Sequence, residues 1–210
     1  MAIVSNANAG AYKEVNRTHG YMKPFWLEPS NKDVMGYKLS GVKKGDWIPQ
    51  GYPVKCEDSA NGQKVATLCK YCTVEQFVST TIFMTKRNSL LKAGEKITFP
   101  GGQVLSTIKT IERAGEYDKV TLSAANTELT SEKVGVSMVL ATEAGKAANL
   151  PNRVVAEDCN ITEENATIVA AHSGIILKNV VKYPSAYINS VAFPGSDLLV
   201  GCPAIMFIVQ

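Results

Sequence analysis

Short segments of strand type, separated by turns, make up most of the sequence from Val42 onward. In 119–123 apolar and polar side chains alternate, as they do in a strand with one face in a core. Asn61-Gly62 lies between two such segments, and this dipeptide favours the tight turn of a β-hairpin. The pattern therefore predicts a mostly β fold built from short antiparallel strands.

The predicted strands fall into a middle group and two flanking groups. The middle strands are 95–99, 104–111, 119–123 and 134–140. The flanking strands include 52–56, 65–74, 153–156, 166–171, 175–181 and 204–209, and 185–191 is expected to form one or two helical turns. Neither flank alone has enough strands to close a core. We therefore expect residues 85–142 to form a small β-barrel that is inserted into an outer β-domain of residues 34–84 plus 143–210.

A short local similarity links the two regions. The segments 42–48 and 91–97 share the pattern apolar, Lys, any residue, Gly, acid, any residue, Ile. A Gly turn that leads into a strand, with the acid on the solvent side, explains this pattern. The similarity predicts that each region begins its own small barrel.

Residues 1–33 are predicted to form an extended N-terminal arm, because neither helical nor strand periodicity continues through them. The arm carries Tyr21, Phe25 and Trp26, and Pro24 and Pro29 interrupt this aromatic cluster. Such an arm either packs against its own domain or anchors its aromatic side chains in a neighbouring subunit, where aromatic residues are favoured. We favour the second arrangement, because an extended arm stabilises itself poorly.

Composition and charge exclude several classes of partner. The chain has 210 residues, 45% hydrophobic and 20% charged, with a formal net charge of +3. Lys and Arg are scattered rather than arranged in a basic stripe, so no nucleic acid partner is expected. No apolar run approaches the roughly 20 residues that span a bilayer, so no membrane partner is expected. The N-terminus lacks the features of a secretory signal, and we expect the chain to be made in a cytoplasm.

The five cysteines include one suggestive spacing, Cys69-x-x-Cys72. A zinc site would need Cys56 and a further ligand to complete the set. If 67–74 is a strand, two residues three positions apart project to opposite faces, which prevents chelation by this pair. A redox pair would need a helix N-terminus beside it. We therefore predict structural cysteines and no metal.

The remaining reactive groups do not assemble into a catalytic pattern. His172 and Ser173 are adjacent in sequence, but acyl transfer requires proximity in space and an orienting carboxylate. Neighbouring acids such as Glu57-Asp58 are expected on a solvated surface, and no glycine-rich loop precedes a predicted helix. The sequence predicts no catalytic, cofactor-binding or metal-binding residues, and no cofactor; we expect a protein that is not an enzyme.

Two segments carry a resemblance to a known family. The run Gly45-Asp-Trp-Ile-Pro-Gln-Gly51-Tyr-Pro-Val54 resembles the entry segment of head decoration and head-fibre proteins of tailed phages. The run Ala171-His-Ser-Gly174-Ile-Ile-Leu-Lys-Asn-Val-Val-Lys-Tyr-Pro184 is similar to the later half of head-fibre sequences from gut phages that infect Bacteroides. The predicted inserted strands resemble the SH3-like barrels of such virion proteins.

The resemblance implies a virion protein on the outer surface of a phage capsid, made in the cytoplasm of a bacterial host. It implies a β-tulip-like outer domain, an inserted SH3-like barrel, self-assembly into a homotrimer and the major capsid protein as partner. An alternative function is a carbohydrate- or receptor-binding β-module that uses Trp47, Tyr52 or Tyr187 as stacking platforms. A third is a small hydrolase or thiol oxidoreductase that depends on Cys69 or His172.

Overall fold

The computed structural model describes residues 32–33, 36–87, 89–162, 166–178, 181–190 and 196–208. The aromatic residues of the predicted arm, Tyr21, Phe25 and Trp26, lie outside these ranges. The first strands are β1 (Tyr37–Ser40), β2 (Trp47–Ile48), β3 (Pro53–Asp58), β4 (Lys64–Leu68), β5 (Tyr71–Thr73), β6 (Gln76–Ser79), β7 (Ile82–Lys86), β8 (Lys96–Thr98), β9 (Ser106–Ala114), β10 (Tyr117–Leu122) and β11 (Ser137–Leu140). They are followed by β12 (Arg153–Val155), β13 (Cys159–Asn160), β14 (Thr167–Ile168), β15 (Ala170–Ala171), β16 (Gly174–Leu177), β17 (Ile188–Ser190), β18 (Ser196–Leu199) and β19 (Cys202–Ile208).

The structure is mostly β, as the sequence predicts. Two short 3-10 turns, Ser131–Lys133 and Ser185–Tyr187, are the helical elements of the described ranges. The second turn lies inside the segment for which one or two helical turns were expected. Among the residues that the structure describes, no helix is long and apolar enough to cross a membrane.

The first sheet has the order β14-β1-β4-β3-β12-β15, with β1 and β4 parallel and the other neighbours antiparallel. Its two end strands, β14 and β15, are separated in the chain by Val169 alone. Because one residue joins the two edges, the sheet must curl until it is nearly closed. Lys32 and Asp33 also lie beside β15, where Lys32 forms an antiparallel bridge with Ala171.

The second sheet has the order β5-β11-β8-β9-β10-β7-β6 and is antiparallel throughout. Its end strands are joined by Val74 and Glu75. The N–H of Val74 donates to the carbonyl of Val136 (3.0 Å), and that of Glu75 to the carbonyl of Met84 (2.8 Å). This sheet is therefore also curled into a nearly barrel-like form. Phe83, Ile97, Ile108 and Met138 fill its interior, each contributing about 1.5–3 kcal/mol relative to an exposed position.

The strands after β15 form a third sheet with the order β16-β19-β18-β17, in which β16 and β19 are parallel. Its buried face packs on the first sheet through a core that includes Ile176, Ile205 and Phe207. The short pair of β2 and β13 completes the described strands.

The membership of the sheets differs from the predicted division of the chain in one respect. The first sheet takes strands that precede and strands that follow the second sheet in the chain. However, β5 and β6, and most of β7, lie before Thr85 and yet pair with the strands of the second sheet. The predicted strand 65–74 is interrupted at Cys69 and Lys70, where the chain passes from the first sheet to the second.

The local similarity between 42–48 and 91–97 corresponds to the same local structure. Gly45 and Gly94 both adopt positive φ, 91° and 88°. A carboxylate oxygen of Asp46 accepts the N–H of Lys43 (2.9 Å), and one of Glu95 accepts the N–H of Lys92 (2.8 Å). The acid was expected merely to face solvent; in both turns it instead closes the turn with a hydrogen bond.

Candidate functional site

The two cysteines of the Cys69-x-x-Cys72 spacing belong to different cores. Cys69 packs with the third sheet, whereas Cys72 lies inside the second sheet. Both thiols are free, and burial raises the pKa of Cys72 to about 12 and that of Cys69 as well. Within the described ranges no three His, Cys, Asp or Glu side chains are grouped so that they could hold a metal ion.

Between these cysteines, Lys70 and Tyr71 occupy the junction of the three sheets. The carbonyl of Lys70 accepts hydrogen bonds from the N–H of Leu140 (2.9 Å) and from the hydroxyl of Tyr187 (3.2 Å). The ring of Tyr71 contacts those of Tyr52, Tyr183 and Tyr187, at centroid distances of 5.7, 6.1 and 6.2 Å. This tyrosine cluster fixes the three sheets relative to one another.

The residues expected to serve as stacking platforms in a carbohydrate site are not available for that role. Trp47, Tyr52 and Tyr187 are all buried. Burial also raises the pKa of the Tyr52 and Tyr187 hydroxyls above the ordinary value. A sugar could not stack on any of these three rings without displacing core side chains.

His172 takes part in a charged cluster that sequence spacing did not reveal. Its Nδ1 lies 3.2 Å from Oδ1 of Asp33, and the other carboxylate oxygen of Asp33 accepts the hydroxyl of Tyr37 (2.9 Å) and Nε of Arg153 (3.3 Å). Burial alone would raise the pKa of Asp33. The hydrogen bond from Tyr37 and the positive charge of Arg153 outweigh burial and lower it. The cluster ties the segment before β1 to β12 and to the bend after β15.

The outer face of the third sheet carries an apolar stripe. Met206 on β19 is the direct register partner of Ile175 on β16 and of Leu198 on β18, so the three side chains share one face. Met206 is 37% exposed, and Ile175 and Leu198 are partly buried. The face of a sheet that is turned towards water is usually polar, so an apolar stripe across three strands is a candidate contact surface.

A cleft of about 490 Å³ lies between β11 and the buried face of the third sheet. Its apolar wall is formed by Val136, Val181, Tyr183, Ile188 and Phe207, among others. Its polar side carries the exposed Lys182 and an ion pair between Lys178 and the buried Asp197. Concave, mostly apolar sites with a few polar groups are typical binding sites.

Comparison of the chain with protein-family models, with curated proteins and with solved structures finds no match. Within the described part of the chain, the apolar stripe and the cleft are two surfaces that could contact a partner or a ligand. Neither surface could be recognised in the sequence, because both join residues from strands whose register only the fold defines.

Proposed function

We propose that this chain is a structural virion protein, a capsid decoration or head-fibre subunit that binds the outer surface of a phage capsid as a homotrimer. Its partners would be further copies of itself and the major capsid protein. The observation that carries the proposal is the stripe of Ile175, Met206 and Leu198 on the outer face of the third sheet. A solvent-facing stripe of this kind is costly unless a second protein surface covers it.

Three further features support a structural role rather than catalysis. The thiols of Cys69 and Cys72 are buried in separate cores and have raised pKa values, which opposes thiolate chemistry. The imidazole of His172 contacts Asp33 in a cluster that joins three segments of the chain. Mostly β subunits with curled, nearly closed sheets suit shell attachment, which needs large complementary surfaces.

We further propose that the curled second sheet is the inserted SH3-like barrel. The first and third sheets would together form the β-tulip-like outer domain. Support comes from the chain order, since strands on both sides of the second sheet build the first.

The proposal is tested by Met206→Glu, which places a charge in the centre of the stripe. Light scattering after gel filtration should give a trimer for the wild type and a monomer for the variant. Only the wild type should sediment with capsids that lack this protein. Val78→Glu is the matched control, because Val78 is an exposed apolar residue (52%) on β6, away from the stripe. A wild-type monomer with no affinity for capsids would contradict the proposal.

A further inference from the structure

The cleft between β11 and the third sheet lies on the side of that sheet opposite to the apolar stripe. Phe207 lines the cleft, whereas its neighbour Met206 belongs to the stripe, and successive side chains of a strand point to opposite faces. The trimer contact proposed above therefore does not use the cleft. Its volume of about 490 Å³ lies within the range of about 300–1,000 Å³ that is typical of sites for small organic ligands.

The apolar wall of the cleft combines buried rings with aliphatic side chains that still reach water. Tyr183 and Phe207 are buried and pack edge-on, with their ring centroids 4.9 Å apart. Val181 and Ile188 are partly buried, and Val136 on the opposite wall is 37% exposed. A ligand with an apolar body would remove these three aliphatic side chains from water, which favours its binding.

The polar side of the cleft carries more positive than negative charge. Lys178 forms an ion pair with the buried Asp197, so this carboxylate is already neutralised. Lys182 is exposed and has no ion-pair partner among the residues that the structure describes. A cationic head group would be repelled by Lys182 and would compete with Lys178 for Asp197. An anionic head group instead meets the ammonium of Lys182 without breaking an existing pair.

Lys182 places this charge at the edge of the apolar wall. It lies between Val181 and Tyr183 in the chain, and all three residues line the cleft. Ser185 also lines the cleft and is exposed, so its hydroxyl can donate a hydrogen bond to an anion. A ligand that extends from an anionic head at Lys182 to an apolar body near Phe207 would match both parts of the cleft.

We propose that this cleft binds a medium-chain aliphatic carboxylate, with its carboxylate at Lys182 and its alkyl chain against Val136, Val181 and Ile188. One unpaired lysine matches one negative charge, and a flexible alkyl chain can follow a wall of aliphatic side chains. The site lies on the face opposite to the stripe, so this proposal and that of a virion role can fail independently of each other.

Titration of the methyl-labelled full chain with decanoate, below its micelle concentration, tests the proposal by NMR. The methyl signals of Val136, Val181 and Ile188 should shift and reach saturation, whereas those of Ile175 and Leu198 on the stripe should stay in place. Decanol should bind more weakly, and decyltrimethylammonium more weakly still. Shifts that do not saturate, larger shifts at the stripe, or equal binding of the cation would overturn the proposal.

The length of the alkyl chain gives a quantitative test of the apolar contact. Each methylene group that is buried should tighten binding about fourfold, so octanoate should bind about 15-fold more weakly than decanoate. Equal affinities for the two carboxylates would overturn the placement of the alkyl chain in the cleft.

A lysine variant tests the position of the head group. Lys182→Gln should weaken the binding of decanoate about two- to fivefold, the range for one exposed ion pair, and should leave the binding of decanol unchanged. Lys109→Gln, at an exposed position on β9, is the matched control and should alter neither affinity. Unaltered decanoate binding in Lys182→Gln, or an equal loss in both variants, would overturn the assignment of Lys182.

A valine variant tests the position of the alkyl chain. Val136→Trp fills part of the cleft with a larger side chain and should abolish the binding of both ligands. Val134→Trp is the matched control, because Val134 is also exposed (48%) but does not line the cleft. Unchanged methyl signals of Ile97 and Ile108 in the second sheet would show that both variants fold. Undiminished binding in Val136→Trp, or an equal loss in the control, would overturn the proposal; should Val136→Trp not fold, the lysine pair decides.

Discussion

Lys70 Nζ lies 2.5 Å from Oε1 of Glu95, and this ion pair joins the crossover between the first two sheets to the turn before β8. The side chains of Lys70 and Glu95 are only 7% and 23% exposed. The other carboxylate oxygen of Glu95 accepts the N–H of Lys92 (2.8 Å). The pair is therefore largely removed from water and anchored on both sides.

Breaking this pair should destabilise the fold, because an unpaired carboxylate would remain in a mostly buried position. We expect Lys70→Met to lower the free energy of unfolding by about 2–3 kcal/mol, less than for a fully buried pair because Glu95 keeps some exposure. Urea denaturation measures the change. Lys146→Met, which breaks the exposed pair with Glu143, is the control and should cost less than about 0.5 kcal/mol. Equal losses in both variants would contradict the prediction.

A second prediction concerns the contact between the third sheet and the loop before β3. The buried hydroxyl of Tyr183 donates to the carbonyl of Gly51, while its ring packs edge-on against Phe207 at 4.9 Å. Tyr183→Phe keeps the ring contact and leaves the carbonyl of Gly51 without this donor. The free energy of unfolding should fall by about 1–2 kcal/mol. Tyr117→Phe, at a half-buried position on β10, is the control and should change the free energy of unfolding by no more than about 0.5 kcal/mol. A loss in this control as large as that of Tyr183→Phe would argue against a specific contribution from the hydrogen bond of Tyr183 to Gly51.

The parts of the fold that follow from local chemistry were predictable. Alternation in 119–123 and the Asn61-Gly62 turn correspond to β10 and to the link between β3 and β4, where Gly62 has φ 72°. The pattern shared by 42–48 and 91–97 predicted two equivalent Gly turns. In each case the information lies within a few consecutive residues.

The candidate surfaces could not be predicted, because they depend on pairings between distant segments. Met206 shares a face with Ile175 only because β16 and β19 pair in parallel in that register. Asp33 meets Arg153 only because the segment before β1 lies beside β15, which in turn pairs with β12. The ion pair between Lys70 and Glu95 was equally unpredictable, because the two residues are 25 positions apart in the chain and are brought together by the pairing of the sheets.

The Asp33 cluster predicts a defined dependence of stability on pH. The pKa of Asp33 is lower in the folded protein than its ordinary value of 3.8. Its ionised form is thus favoured by folding, and this contribution is present above about pH 4 and is lost as the pH falls through the lowered pKa. Asp33→Asn should cost about 1–3 kcal/mol at pH 7, and the difference from the wild type should shrink below pH 3.8.

Urea denaturation of both proteins from pH 7 to pH 3 measures this difference. Tyr37→Phe serves as a companion variant, because it removes the hydrogen bond that contributes most to lowering the pKa of Asp33. In that variant the pH-dependent loss of stability should be smaller and should be complete at a higher pH than in the wild type. A difference between Asp33→Asn and the wild type that stays constant down to pH 3 would exclude the ionised carboxylate as its cause.

The last prediction concerns the accessibility of the thiols. Burial raises the pKa of Cys56 and Cys72 to about 12 and also raises that of Cys69, so their thiolate fractions at pH 8 are very small. Cys159 is half-buried and should react first with iodoacetamide, whereas all five cysteines should react in denaturant. Peptide mapping by mass spectrometry identifies the alkylated residues. Rapid alkylation of Cys69 and Cys72 in the folded protein, or zinc released on their modification, would show that this pair is open to chemistry and would return the thiol-dependent alternative to consideration.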